Sequence, residues 1–285
     1  MSGDHNRREP LRIIFHNGNA LVWNIKDWLT LRKEHGILGN LIGCISHLPR
    51  QDIINGLPMK LLPEEVTLIL QKNIGKVYTY KNPYGTRSLE LQAKYASYLE
   101  KVKKEQIECY EEKRKKEVLG MLDRIIEGKK RKLSNKEIIN IDKEAILKTE
   151  LEKTNENLAE NVFTQIPTVD PWFNEEDFVF AKWDYPKTPK EKLKYRIFKD
   201  LIANKHYFIT SGSKFGGDFL VYPGEPIKFH AFFIVICVLP ETNLSLLDII
   251  MHARLGTMTK KTFVIASINK YDEITYSSFE WTSKS

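Results

Sequence analysis

The chain reads as an α/β protein whose C-terminal domain is a mixed sheet with flanking helices, preceded by a small α+β domain and a charged helical linker. Three observations lead there. Near the C-terminus, KFHAFFIVICVL from Lys228 is β-branched and aromatic, LSLLDIIMHARL from Leu244 has apolar residues at helical spacing with Gly256 as a stop signal, and KTFVIAS from Lys261 is again strand-like. At the other end, LRIIFHNGNALVWN from Leu11 holds two short strand patterns around Asn17, Gly18 and Asn19, a hairpin signature. Between the two, residues 92–157 shift to Lys and Glu with few aromatics. The expected domains are 1–94 (α+β), 95–187 (charged linker and an aromatic, acidic docking segment) and 188–285 (the α/β domain).

After the hairpin, DWLTLRKEHGILGNLIG and PEEVTLILQKNIG both carry helical spacing, and Pro63 ahead of Glu64 and Glu65 marks a helix start. VYTY from Val77 is a strand pattern. The mixed charge of 92–157 predicts a long solvated helix or a flexible helical linker, since acids accompany the bases throughout. VDPWFNEEDFVFAKWDYP, residues 169–186, differs: aromatics and acids alternate around prolines, as in a segment that docks on a partner or on its own domain. From Thr188, PKEKLKYRIFKDLIA predicts an amphipathic basic helix ending near Asn204, and HYFIT a strand. Residues 187–200 hold six basic residues against two acids, a stretch suited to phosphate contact or simply to a solvated face.

A net charge of +7 and a pI near 9.0 over 285 residues favour a polyanionic partner weakly. Cys44, Cys109 and Cys237 are scattered and odd in number, without zinc-ligand spacing, which points to a reducing compartment. The polar start MSGDHNRREPLR is not a secretory signal, and AFFIVICVL is too short to span a membrane.

Residues 212–230, GSKFGGDFLVYPGEPIKFH, look like a site. Gly216 and Gly217 allow positive φ or close backbone approach, leading into a short buried strand that ends at Tyr222. Pro223 and Gly224 fit the centre of a type II turn, and the returning strand carries His230 near its start. If the strands from Lys228 and Lys261 are parallel neighbours, both begin at one edge of the sheet, where Lys261, His230 and Tyr222 meet.

A phenol, an imidazole and an ammonium at one edge suit cleavage of an RNA phosphodiester by its own 2′-OH, with no metal or other cofactor required. One group accepts the 2′-OH proton, one protonates the 5′ oxygen, and a cation stabilises the phosphorane. Imidazole, with an ordinary pKa of about 6.5, is the natural donor. Phenol, at about 10, is a weak base that needs a nearby cation or else only orients the nucleophile. Each residue also has a structural reading: His230 as a partly exposed structural histidine beginning a strand beside a turn, Tyr222 as a strand cap, and Lys261 as an edge lysine that composition does not distinguish from Lys260. His252, near a helix C-terminus, suits a stabilising role, and Asp218 a turn.

GSKFGGDFLVYPGEPIKFH, HARLGTMTKKTFVIAS and the terminal FEW resemble the tRNA-splicing endonucleases, in particular the eukaryotic catalytic subunit that cuts at the 3′ splice site. The resemblance covers about the last third of the chain strongly and the N-terminal domain more weakly. It implies a tRNA-intron-endonuclease fold and a triad of Tyr222 as general base, His230 as general acid and Lys261 as transition-state stabiliser, leaving a 2′,3′-cyclic phosphate and a 5′-OH. It singles out Lys261 over Lys260. It further implies that Arg254 and Trp281 clamp a flipped intron base for the other catalytic subunit's cut at the 5′ splice site. The partners implied are precursor tRNA, a second catalytic subunit and two non-catalytic subunits in a heterotetramer, and the location implied is the nucleus. The N-terminal module is then expected to help assemble the complex or bind tRNA, or to be only a packing appendage. Two other readings stay open: a non-catalytic subunit of the same complex, and a metal-dependent DNA nuclease using Asp218, Glu225 and Lys228. The spacing of that last set is poor, because two residues separate Glu225 from Lys228 where the chemistry usually has one, and Glu225 sits between prolines.

Overall fold

In the computed structural model the described residues are 10–43, 55–82, 88–130, 148–149 and 175–282. Cys44, residues 131–147 and 150–157 of the charged linker, and 169–174 of the aromatic segment lie outside them. The described residues fall into two compact units, one carrying both sheets and the other a long helix.

The first sheet begins with β1 (Leu11–His16) and β2 (Asn19–Val22), an antiparallel hairpin closed by Asn17 and Gly18 at φ 47° and 73°. Left-handed conformation at both central residues is the geometry that Asn-Gly tolerates best, so the hairpin expectation holds. Helix α1 (Ile25–His35) is capped by Asn24, whose Oδ1 accepts from Lys26 N, and stops at Gly36 with φ 65°. The expected continuation of helix through Gly43 gives way to a strand, β3 (Asn40–Gly43). Gly36 ends the helix, and three of the four following residues needed for another turn are Ile37, Leu38 and a second left-handed glycine, Gly39. β4 (Gly56–Leu61) precedes α2 (Pro63–Gln71), which starts at Pro63 as expected, and β5 (Gly75–Tyr80) follows.

The aromatic segment completes this sheet. β6 (Phe178–Phe180) pairs antiparallel with β5, giving the order β3-β4-β2-β1-β5-β6 with β1 and β5 parallel. Beyond β6, Trp183 Nε1 donates to Thr67 Oγ1 (2.9 Å) and the Tyr185 hydroxyl to Glu64 (2.5 Å), so the segment docks on α2 of its own chain. α2 also carries Glu65, fully buried, whose carboxylate accepts from the backbone N–H of Leu62, Leu38 and Gly39. Burial pushes its carboxyl up to about 7 against the pull of those three donors.

The second sheet follows α4 (Pro189–Ala203), capped by a reciprocal pair: Glu191 N donates to Thr188 Oγ1, and Thr188 N to Glu191 Oε2. Its order is β11-β10-β9-β8-β7, from β7 (Phe208–Ser211), β8 (Phe219–Tyr222), β9 (Phe233–Cys237), β10 (Thr262–Ile268) and β11 (Ile274–Phe279). β9 and β10 are parallel, joined across helix α5 (Leu246–Met258); the other neighbours are antiparallel. One face of this sheet, with Phe219, Val221, Val235 and Val264, packs on Leu193, Ile197 and Phe198 of α4. That core is continuous with Ile13, Val22, Val66 and Ile69 of the first sheet and α2.

The second unit holds α3 (Leu89–Lys130), 42 residues long. Ion pairs four residues apart, Glu90–Lys94, Lys101–Glu105 and Lys104–Glu108, run along its exposed surface, while Gln106, Val118 and Ile126 are buried. Its charge pattern supports a solvated helix, each such pair contributing only a few tenths of a kcal/mol. Among the described residues no helix is long and apolar enough to cross a membrane.

Candidate active site

Strand register brings the candidate residues together. Val221 and Thr262 both pair with Phe233, and Phe232 continues each ladder: its N–H donates to Val221 O and its carbonyl accepts from Thr262 N, both at 2.9 Å. One residue further out, Tyr222 and Lys261 therefore lie level with Phe232, one on each side. Two strand spacings separate their backbones, roughly 10 Å.

The alternation of side chains then fixes the face. Leu220, Ile234 and Phe263 point away from α4 and toward α5, where the His252 ring stacks on Phe263 (centroids 4.9 Å apart, 12° between planes). A two-residue period puts Tyr222 and Lys261 on that same face. Contacts agree. Tyr222 and Phe215 both pack on the cluster of Leu220, Ala231 and Ile234, and Lys261 Nζ lies 4.7 Å from the centre of the Phe215 ring. Thr210 Oγ1 donates to the Tyr222 hydroxyl oxygen (3.3 Å). His230 is exposed beside Ala231, the member of the cluster that ties its loop to the same face.

Two local expectations need correcting. His230 is not on the strand: β9 starts at Phe233, and residues 223–232 form a loop. Nor do Pro223 and Gly224 make a type II turn, since Gly224 lacks the left-handed φ that this turn demands. The reversal is closed instead at Glu225, whose carbonyl accepts from Lys228 N (2.8 Å) and Phe229 N (3.1 Å). Gly216 and Gly217 behave as the sequence implies: Gly216 has φ 68°, and a Cβ on Gly217 would fall 2.6 Å from Ile234 Cγ2.

Helix α5 does not stop at Gly256 but runs to Met258. Gly256 is there for clearance, because a Cβ would lie 2.6 Å from the Lys261 carbonyl oxygen. The helix ends in a Schellman arrangement: Lys260 N donates to Thr257 O, Lys261 N to Gly256 O, and Lys260 takes the left-handed position at φ 55°. This separates two lysines that composition leaves equivalent. Lys260 makes the turn out of the helix, whereas Lys261 leads into β10 with Nζ donating to Thr259 O (2.8 Å). That carbonyl end of a helix favours a cation.

Arg254 and Trp281 are also brought together, the guanidinium carbon 4.9 Å from the indole centre. Thr257 Oγ1 accepts from Trp281 N and lies 3.2 Å from Trp281 O, anchoring the indole-bearing residue to α5. Trp281 lines an open groove of about 550 Å³ with Phe232, Lys260, Lys261, Thr262 and Glu280. Arg254 and Trp281 thus sit beside Lys261. Sandwiching a base needs about 7 Å between the two planes, twice the roughly 3.4 Å rise of stacked bases, so the pair must part to admit one.

The acid, acid, lysine alternative fails on geometry. Asp218 Oδ2 accepts from Cys237 N (2.8 Å) while Oδ1 pairs with Lys194 (3.2 Å), and Glu225 pairs with Arg32 of α1. Their carboxylates are committed to different elements. Among the described residues no group of three or more His, Cys, Asp and Glu is arranged to hold a metal ion. On α4, Lys194 and Arg196 are tied to Glu64, Asp218 and Asp272, which leaves Lys190, Lys192 and Lys199 as its exposed cations.

Phe215, Thr210 and Arg32 are not legible as site residues in the sequence. Phe215 sits within the motif at 212–230 but shows its place only once Lys261 is folded onto it. Arg32 lies 193 residues from Glu225 and carries no local signal.

Residues 11–80 match the family described as TSEN34-like, N-terminal domain, and residues 192–276 match the tRNA intron endonuclease, catalytic C-terminal domain. The tRNA-splicing endonuclease subunit Sen34 of Homo sapiens is 27% identical over 306 residues, spanning 94% of this chain and 97% of its own. The subunit of the same name from Mus musculus is 28% identical with the same coverage. The probable subunit sen34 of Schizosaccharomyces pombe is 26% identical over 92% of this chain and 88% of its own. The two domain matches fall in order along the chain and these relatives align with it nearly end to end, so over most of its length the chain is similar to the Sen34 subunits of tRNA-splicing endonuclease, with a tRNA intron endonuclease catalytic domain at its C-terminal end.

Proposed function

We propose that this chain is the subunit of a tRNA-splicing endonuclease that cuts precursor tRNA at the 3′ splice site, by attack of the neighbouring 2′-OH. The observation that carries the reading is the placement of Tyr222 and Lys261 level with each other on one face of the second sheet, with the His230 loop fixed to the same cluster. Tyr222 accepts the 2′-OH proton as its oxygen attacks the phosphorus. Lys261 sits where charge develops on the non-bridging oxygens, and His230, exposed on its loop, protonates the departing 5′ oxygen. The bond from phosphorus to the 5′ oxygen breaks, leaving a 2′,3′-cyclic phosphate and a 5′-OH.

None of these steps requires a metal or another cofactor. Arg254 and Trp281 hold a nucleobase in the groove beside Lys261 and serve the cut made by a second catalytic subunit at the 5′ splice site. That subunit and two non-catalytic ones complete a heterotetramer acting in the nucleus. The word subunit in the relatives' names supports the assembly. The reading as a non-catalytic subunit is disfavoured because all three residues of the triad are retained.

The products test the chemistry. Precursor tRNA cut by the reconstituted complex in EDTA is expected to carry 2′,3′-cyclic phosphate and 5′-OH ends. Plain 3′-OH and 5′-phosphate ends, or full dependence on magnesium, would sink the mechanism.

A further inference from the structure

The loop that carries His230 is held by the N-terminal domain. Residues 223–232 leave the second sheet at Tyr222 and return at Phe233, and Glu225 sits near their start, between Pro223-Gly224 and Pro226. The backbone carbonyl of Glu225 accepts the two N–H groups that close the reversal, and its carboxylate pairs with Arg32 of α1. Arg32 is well placed to hold its side. The preceding residue, Leu31, is fully buried in the core, and the Arg32 guanidinium lies 5.8 Å from the Trp28 ring, one helical turn back. Side chains at both ends of the pair are largely shielded, at 18% and 29% exposure, so the interaction is less screened than a surface ion pair.

We infer that Arg32 is a positioning residue, by which the N-terminal domain fixes the 223–232 loop and with it His230. The inference rests on the functional reading above and adds to it a task for the N-terminal domain. Without the ion pair the loop keeps its turn bonds and the Ala231 anchor but loses its tie to α1. A proton donor displaced by even 1 Å loses on the order of 10²-fold in rate, whereas substrate held elsewhere binds as before.

The test uses the full chain in the reconstituted complex. Arg32→Ala and Glu225→Gln are expected to slow single-turnover cutting at the 3′ splice site by roughly 10- to 100-fold. Precursor tRNA affinity should stay within about two-fold, and 5′ cutting should be unchanged. Arg32→Lys should recover part of the rate, and Arg32→Glu combined with Glu225→Arg should recover more than either single reversal. Hydrogen exchange supplies a readout that needs no activity: amides of 223–232 should exchange faster in Arg32→Ala while those of α1 do not. A wild-type complex that leaves the 3′ junction intact overturns the functional reading itself. A cleaving wild type with an Arg32→Ala rate within two-fold of it, or a loop whose exchange is unaltered, overturns this inference alone. Equal losses at both junctions, or a matching fall in affinity, would also reject it in favour of a general structural role.

Discussion

His230→Ala is expected to lower cutting at the 3′ splice site by roughly 10² to 10⁴, the usual contribution of a positioned proton donor. Its side chain is exposed on a loop, so assembly and melting should be nearly those of the wild type. Lys261→Ala should cause a comparable loss, because the ammonium that rests on Phe215 and the α5 carboxyl end has no substitute in that position. The neighbouring lysine provides the internal control. Lys260 occupies a left-handed position where glycine is unstrained, so Lys260→Gly should leave the rate within a few-fold and cost no stability. Measured rates for each variant in the reconstituted complex check the assignment; equal losses for both lysines, with folding intact, would show that it is wrong.

Loss of the base clamp is expected to act at the other junction. Stacking on an aromatic side chain contributes about 1 to 3 kcal/mol per base, so Arg254→Ala with Trp281→Ala should slow 5′ splice-site cutting by roughly 10- to 100-fold. Cutting at the 3′ site should fall much less, the reverse of the pattern for His230→Ala. Scoring each junction separately decides the matter. If both cuts fall together, or only the 3′ cut is lost, the pair belongs to this chain's own site or merely braces the C-terminal strand against α5.

How much of this was legible follows from the range of the interactions involved. Local chemistry was readable: Asn17-Gly18 fixes a hairpin, Pro63 starts a helix, the basic amphipathic pattern after Thr188 gives α4, and the strand, helix, strand pattern around α5 gave the parallel β9 and β10 that align Lys261 with Tyr222. Errors arose where one residue type serves two ends. Gly256 suits a helix stop but here clears the Lys261 carbonyl, and Pro223-Gly224 suits a type II turn but the reversal closes at Glu225. Asn40–Gly43 has apolar spacing that fits a helix, yet pairing in the first sheet makes it a strand. Long-range ties were invisible. Nothing near Arg32 points to Glu225, and nothing near Glu64 points to Tyr185 and Lys194, because sequence periodicity records which face is apolar and not which charges meet.

The central claim, that the 2′-OH beside the 3′ splice junction is the nucleophile, has a direct test in a single substitution in the RNA. Precursor tRNA carrying a 2′-deoxy nucleotide immediately 5′ of the 3′ scissile phosphate is given to the reconstituted complex, and each cut is followed separately. The account predicts that the 3′ cut disappears while the 5′ cut proceeds at its normal rate. Cleavage of the 3′ junction at the rate of the all-ribose substrate would contradict it, since only attack by water could then be responsible.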